Sequence, residues 1–384
     1  MTGRLYYTDC YLREFRARVI ASEGAKVYLD QTAFYPSSGG QPFDTGSLGG
    51  ARVVDVIEED DRIAHVLDAP IATGDVKGEI DWDRRFDHMQ QHTGQHLLSA
   101  VMVELYDIAT VSFHMGQEVS TIDVAAAALS QEQILRIEQR ANEVVWENRP
   151  VRISFHDSGE AIGLRKASER EGTLRVVAIE DLDLSACGGT HLRATGEAGP
   201  ILLRKLDKLR GNVRIEFLCG GRAAARARAD YDALARIGSA FSAPLDETPA
   251  LVEAQLEKAP AMEKANRRLA AELSGFHGRA LYQATIPDAG GIRRAVEHGP
   301  IGDDVRAKAQ AFAAGSKATY LALSENPPSV LLAVSSDSGI DAGAVLKAAL
   351  NRVGGRGGGN ATLAQGSVPS KEALAAAAAT LREQ

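Results

Sequence analysis

Cysteine is scarce in this sequence: Cys10, Cys187 and Cys219 are the only three among 384 residues. Three unevenly spaced cysteines exclude a disulfide framework. Long apolar runs are missing too. The opening "MTGRLYYTDCYLREFRARV" has no apolar signal core, and no window approaches the roughly eighteen uninterrupted apolar residues of a spanning helix. The expectation is a soluble, cytoplasmic protein with no membrane partner. Nor is positive charge in excess. A formal net charge of −8 excludes a broadly basic nucleic-acid binder and leaves room only for a local basic patch. What remains, 45% hydrophobic and 24% charged residues, is ordinary globular composition at a length that fits two or three domains.

Residues 1–86 read as short strands divided by Gly and Asp clusters, as in "RARVIASEGAKVYLDQTAF" and "ARVVDVIEEDDRIAHVLDAP". Many short strands close their edges most readily as a small β-barrel. From Asp87 to about Tyr106 the period becomes helical, with Leu97, Leu98, Val101, Met102 and Leu105 on one stripe. A second helix is predicted from about Ser130 to Asn148, before Pro150. "VRISFHDS", "LRVVAIEDLDLSA" and "NVRIEFLCGG" are strand-like, so 87–221 reads as an α+β layer structure. Residues 222–278 are Ala-rich and helical, and Pro260 is expected to kink or split the second helix there. From 279 to 384 the pattern is βα alternation with a glycine-rich turn, "GGRGGGN", predicting a small C-terminal α/β domain. The whole is an α+β protein: barrel, α+β domain, helical spacer and α/β domain.

The stretch "MQQHTGQHLL" puts His92 and His96 four residues apart on one helix face, and "SACGGTHLRA" puts Cys187 and His191 at the same spacing around a glycine turn. Three imidazoles and a thiolate are borderline-soft donors that suit zinc better than magnesium or calcium. One Zn2+ per chain is therefore expected on His92, His96, Cys187 and His191. His88 is excluded, because it stands about 12 Å along the axis from His96, and ligands of one zinc lie within about 4 Å of each other. It reads as a supporting or surface residue. A zincin site is excluded too, since Thr93 occupies the position of the glutamate base in H-E-x-x-H. Four protein ligands favour a structural zinc, whereas the polar neighbours Gln91, Thr93, Gln95, His114 and Gln117 favour a substrate site; both readings stand on the residues alone.

H-x3-H followed by C-x3-H resembles the editing domain of alanyl-tRNA synthetases and the free-standing alanyl-tRNA editing proteins. "TAFYPSSGGQPFDTGSL" is similar to the family's glycine-rich signature, "FHMGQEVSTIDV" to the segment lining its amino-acid pocket, and "SACGGTH" with "GNVRIEFLCGGRA" to the second half of the module. "GGRGGGNATLAQG" resembles the glycine-rich loop of the domain that ends alanyl-tRNA synthetases and DHH-type phosphoesterases. The Asp-His-His motifs of those phosphoesterases are absent. The chain also starts at the barrel, with no aminoacylation domain ahead of it. Gln95 stands where synthetase-embedded sites carry threonine, and Thr93 matches the free-standing form.

The resemblance implies a trans-editing hydrolase that deacylates tRNA-Ala mischarged with serine or glycine, with Thr32, Gln41, Thr93, His114 and Gln117 as candidates for pocket hydrogen bonds. A synthetase pocket sized for alanine rejects glycine weakly and serine incompletely, which is why a second site is needed. His114 is the one acid or base among the five that titrates near neutrality. A tRNA partner calls for a basic surface, and Arg204, Lys205, Lys208, Arg210, Arg214, Arg222, Arg226 and Arg228 supply the densest basic stretch. Within that stretch the only acids are Asp207 and Glu216. "GGRGGGN" has no Lys-Ser/Thr for a nucleotide loop and reads as a phosphate-binding or plain tight turn. In the family the helical and C-terminal region supports homodimers. The competing function is a catalytically silent tRNA-binding module whose zinc is structural.

Overall fold

A computed structural model describes residues 2–158, 163–166 and 172–383. It is a mixed α+β structure whose internal contacts divide it into two compact units, Met1–Ile237 and Gly238–Gln384. Apolar clusters fill each unit separately.

The first unit opens with β1 (Gly3–Arg4), β2 (Glu14–Glu23), β3 (Lys26–Leu29), β4 (Gln31–Thr32), β5 (Gly46–Leu48), β6 (Ala51–Glu59), β7 (Arg62–Leu67) and β8 (Asp75–Ile80). β1 and β4 form a short parallel pair. The other six close on themselves in the order β2-β3-β7-β6-β5-β8. The alternation along β2 turns Phe15, Ala17 and Val19 inward, where they meet Phe34, Leu48, Val56 and Ile63.

Helix α1 (Trp82–Tyr106) begins five residues before the period alone places it, because Asp81 caps it by accepting from Arg84 N and Asp83 supports its first turn. From His88 to Met102 nearly every residue is buried, so the helix runs through the unit instead of lying on it. Gly94, at its centre, is required by space: a Cβ there would strike Cys219 Sγ. Around α1 pack the hairpin β9 (Thr110–Met115) and β10 (Ser120–Val124), helix α2 (Gln131–Glu147), strands β11 (Val151–Asp157), β12 (Thr173–Ile179) and β13 (Asp183–Ala186), the hairpin β14 (Ile201–Leu209) and β15 (Asn212–Cys219), and helix α3 (Gly220–Phe241). Two antiparallel sheets result, β14-β15-β10-β9 and β11-β12-β13. α2 starts from a capping box between Ser130 and Gln133. A buried ion pair joins α1 to the strand segment: Arg85 is fully buried, binds the Asp44 carboxylate through Nε and Nη2, and donates to the carbonyls of Cys10 and Ala33.

The second unit comprises α4 (Thr248–Ala284), β16 (Arg293–His298), α5 (Asp303–Ala313), β17 (Ala318–Glu325), β18 (Pro328–Val334), α6 (Ala342–Arg352), β19 (Arg356–Gly359), β20 (Leu363–Ser367) and α7 (Lys371–Arg382). Its sheet runs β16-β17-β18-β20-β19, and only β16 and β17 are parallel. Two expectations are corrected here. Pro260 does not split its helix, since α4 is continuous for 37 residues; Pro260 is exposed, and strong helix formers flank it on both sides. The turn expected of "GGRGGGN" is confined to its first residues, where Gly354 has φ +73°; Arg356–Gly359 form the edge strand β19, where a Cβ on Gly357 or Gly359 would collide with the neighbouring strand β20.

Candidate metal centre

His92 and His96 project from one face of α1, and Cys187 and His191 come from the turn after β13. The fold brings one donor atom from each within 4.8 Å of the others. Cys187 Sγ lies 3.5 Å from His92 Nε2 and 3.3 Å from His191 Nε2. Ligands arranged tetrahedrally at zinc–ligand distances of about 2.0–2.3 Å stand about 3.5 Å apart, so the spacing and the donor chemistry both fit that ion. The glycine turn serves space and not a left-handed backbone: neither Gly188 nor Gly189 has a positive φ, but a Cβ on Gly189 would enter the His92 ring.

Each histidine is fixed through its other nitrogen. His92 Nδ1 donates to Gln41 Oε1 at 2.8 Å, and that oxygen also accepts from Thr190 N at 3.1 Å. His96 Nδ1 donates to Asp183 Oδ2 at 3.0 Å. His191 Nδ1 lies 3.2 Å from Thr93 Oγ1, which also accepts from Leu192 N. The carbonyl of Gln41 and the carboxylate of Asp183 can only accept, so at His92 and His96 a hydrogen is on Nδ1, and Nε2 is the nitrogen that faces the cluster and can meet a metal once deprotonated.

Burial pushes the Cys187 thiol up, yet His92, His191 and His96 around it outweigh burial and hold it well below its ordinary value, in the thiolate form a metal needs. Burial pushes His96 down, and the Cys187 and Asp183 charges more than reverse this, raising it to about 9. At His191 burial dominates and the ring falls to about 3.

The cluster forms part of the lining of a cavity of about 470 Å³. Tyr6, Tyr35, Gln95, Phe113, Phe155 and Arg175 contribute to its wall. Phe113 stacks on His92 with ring centroids 5.5 Å apart. Arg175 spans the floor, donating to the carbonyls of Tyr7 at 2.9 Å and Cys187 at 2.6 Å, with Cys10 Sγ 3.6 Å from its third nitrogen.

The five expected pocket residues fall elsewhere. Thr32 is buried in the strand segment, 2.8 Å from His65 Nε2 and accepting from Phe34 N, and does not line the cavity. Gln41 and Thr93 lie against the histidines, as described, and are not among the residues lining the cavity. His114 is exposed on β9; Phe113 takes the inward place, and alternation sends its neighbour to the opposite face. Gln117 is exposed in the turn after β9. Gln91 is also unavailable, because it pairs with the backbone of Cys219 and with Asp87. Of the polar neighbours on α1, Gln95 alone lines the cavity. His88 is buried and not a surface group; burial first, then Arg84, Arg222, Arg85 and His92, holds it neutral down to about 3. Asp183 and Arg175 escaped the sequence reading. Their one signal was charge inside otherwise apolar strands.

The basic stretch is less open than its composition. Arg204 and Arg226 share Asp230, Lys205 pairs with Asp207, Arg214 with Asp123, and Arg222 with Asp87. Arg222 also donates to the Gly116 carbonyl and so is a structural tie between α3 and α1. Among the described residues Lys208, Arg210 and Arg228 have no ion pair, and Arg228 lies over the Tyr231 ring.

Comparison with known proteins gives two domain matches. Residues 174–216 match the "Threonyl and Alanyl tRNA synthetase second additional domain", and residues 283–384 match the "DHHA1 domain". The chain is 32% identical to the alanyl-tRNA editing protein AlaX-L of Pyrococcus horikoshii, over 97% of this chain and 96% of that one. It is 35% identical to the alanine–tRNA ligase of Pyrobaculum calidifontis, over 95% of this chain but only 42% of the ligase. The C-Ala domain from Aquifex aeolicus alanyl-tRNA synthetase aligns with 24% of this chain and 87% of its own at 22% identity and a TM-score of 0.22, which adds nothing to the family assignment. No described helix is long and apolar enough to cross a membrane.

Proposed function

The chain belongs to the family of alanyl-tRNA editing proteins, and from that premise we propose that it hydrolyses the ester joining serine or glycine to the 3′ end of mischarged tRNA-Ala. The observation that carries this reading is a four-donor cluster of which His92, His96 and Cys187 line an open cavity. A purely structural site has no need of the cavity.

His92, His96, Cys187 and His191 would hold one zinc, which when bound supplies Lewis acidity toward a carbonyl oxygen or a water. Water adds its oxygen to the acyl carbon, the bond from that carbon to the ribose oxygen breaks, and the ribose oxygen leaves with a proton. Gln41, Asp183 and Thr93 keep the three imidazoles in register for this. Gln95 places the one cavity-lining amide of α1 near the amino acid, and Phe113 closes the wall beside His92. His114 faces away from the cavity and is not assigned the proton transfer. The tRNA body falls to Lys208, Arg210 and Arg228 and to the 283–384 domain. The exposed pairs of Arg204, Lys205, Arg214 and Arg226 exchange for phosphates at little cost, since solvent screens such surface pairs. A homodimer through the helical and C-terminal region is supported by exposed Leu256, Met262, Leu269, Leu273 and Phe276 along α4.

The test is deacylation of seryl-, glycyl- and alanyl-tRNA-Ala with zinc, with chelator and after zinc is restored. Loss of seryl or glycyl release with chelator and its return with zinc are expected, with alanyl-tRNA largely spared. Absence of zinc-dependent cleavage from a protein that still binds tRNA would instead support the silent module.

A further inference from the structure

The cavity above the metal centre is larger than the group it would cleave. Its volume of about 470 Å³ equals roughly fifteen water volumes, whereas a seryl or glycyl group has only a handful of heavy atoms. The ligands line just part of it. Phe155 on β11, Tyr7, Arg4 and Glu58 are among the other residues of its lining.

Phe155 is the unusual member of this set. Val151 and Ile153, on the same face of β11, pack into the apolar core, yet Phe155 is left 47% exposed. It lies directly across the strand pair from Arg175, so both side chains rise from one face. Arg175 in turn reaches the Cys187 carbonyl at 2.6 Å. An open aromatic face is thereby fixed one residue away from the ligand-bearing turn. The polar part of this rim is equally ordered. The Arg4 guanidinium sits 5.3 Å from the Tyr7 ring centroid, donates to the Tyr7 hydroxyl at 2.9 Å and pairs with Glu58 at 2.5 Å. An aromatic face for stacking, beside fixed donors and acceptors for hydroxyls and ring nitrogens, is the combination that single-stranded nucleotides are read by.

We propose that this outer chamber seats the terminal nucleoside of the aminoacyl-tRNA, with its base stacked on Phe155. The ester carried by that nucleoside then reaches the metal centre, and the body of the tRNA stays outside. The proposal rests on the editing function above and adds the recognition element that function requires.

The experiment uses full-length, zinc-loaded protein as wild type, Phe155→Ala and Phe155→Tyr. Calorimetry follows binding of a non-hydrolysable 3′-serylamide of adenosine and, separately, of serinamide. Wild type should bind the adenosine-bearing probe far more tightly than serinamide. Phe155→Ala should weaken that binding by roughly 5- to 100-fold, and Phe155→Tyr should restore it. Zinc content and melting temperature should stay at wild-type values in both variants, because Phe155 is exposed. Equal binding by wild type and Phe155→Ala overturns the proposal, and so does serinamide binding as tightly as the nucleoside probe. Deacylation of seryl-tRNA, measured in parallel, separates the two claims. Phe155-dependent binding in a protein that cleaves nothing would sink the editing function and keep the nucleoside seat. Cleavage with an unchanged KM in Phe155→Ala would do the reverse.

Discussion

The three histidines of the cluster are held by three different acceptors: the amide of Gln41, the hydroxyl of Thr93 and the carboxylate of Asp183. A charged acceptor strengthens its donor most, so His96 depends on its partner more than the others do. Asp183→Asn and Gln41→Ala should each weaken zinc binding by roughly 10- to 100-fold, and Cys187→Ala should lose most of the metal, all measurable by competition with a coloured chelator. Wild-type affinity in Asp183→Asn would reduce that residue to scaffold. His65, away from the cluster, adds its own share to the pH dependence of stability, alongside buried His88. Burial holds His65, inside the strand segment, down to about 4 from 6.5. Between those values the unfolded chain takes up a proton that the folded chain refuses, so the His65 contribution to stability falls as pH falls through that window and is constant above it. At 1.36 kcal/mol per pH unit the whole window is worth roughly 3 kcal/mol. The urea midpoint should therefore drop more steeply from pH 6.5 to 4.5 in wild type than in His65→Gln; parallel slopes would contradict this. The ligands themselves were legible because helix pitch and a short turn each bring two donors together locally. Their holders were not, since His96 and Asp183 are 87 positions apart and meet only through tertiary packing. Nor could alternation along β9 reveal whether Phe113 or His114 faces inward.

Among the elements, the joint between α1 and the strands before it bears a fully buried charge pair, Arg85 with Asp44. Removing one partner of such a pair costs about 3–5 kcal/mol, whereas replacing both with apolar groups is often neutral. Asp44→Ala should thus lower the denaturant midpoint sharply, and Arg85→Met in the same chain should recover much of the loss. A double variant less stable than Asp44→Ala would show that the Arg85 bonds to Cys10 and Ala33 matter more than its charge. The periodic elements were the readable ones. Leu97, Leu98, Val101 and Met102 do face the core, and α2 does run between Ser130 and Asn148. The unreadable ones broke a local rule for a tertiary reason: glycines that look like a turn become β19 because only they let β20 approach, and α4 passes through Pro260 on the strength of its neighbours.

For the molecule as a whole, the apolar clusters separate as the two units do, and all four donors belong to the first. A chain ending at Phe241, the last residue of α3, should fold, bind one zinc with full-length affinity and bind tRNA more weakly. Circular dichroism, metal analysis and filter binding check these points in turn. Loss of zinc and fold together would show that the units are not independent. The ligand set is also split in time. His92 and His96 leave the ribosome first, and Cys187 follows 91 positions after His96. At about 5–20 residues per second that interval is roughly 5–20 s, during which the nascent protein can offer a metal only two nitrogens. Loading is thereby deferred until β13, which carries Asp183, and the turn after it, which carries Cys187 and His191, have been made, so a filled site is also a record that the first unit was synthesised through His191.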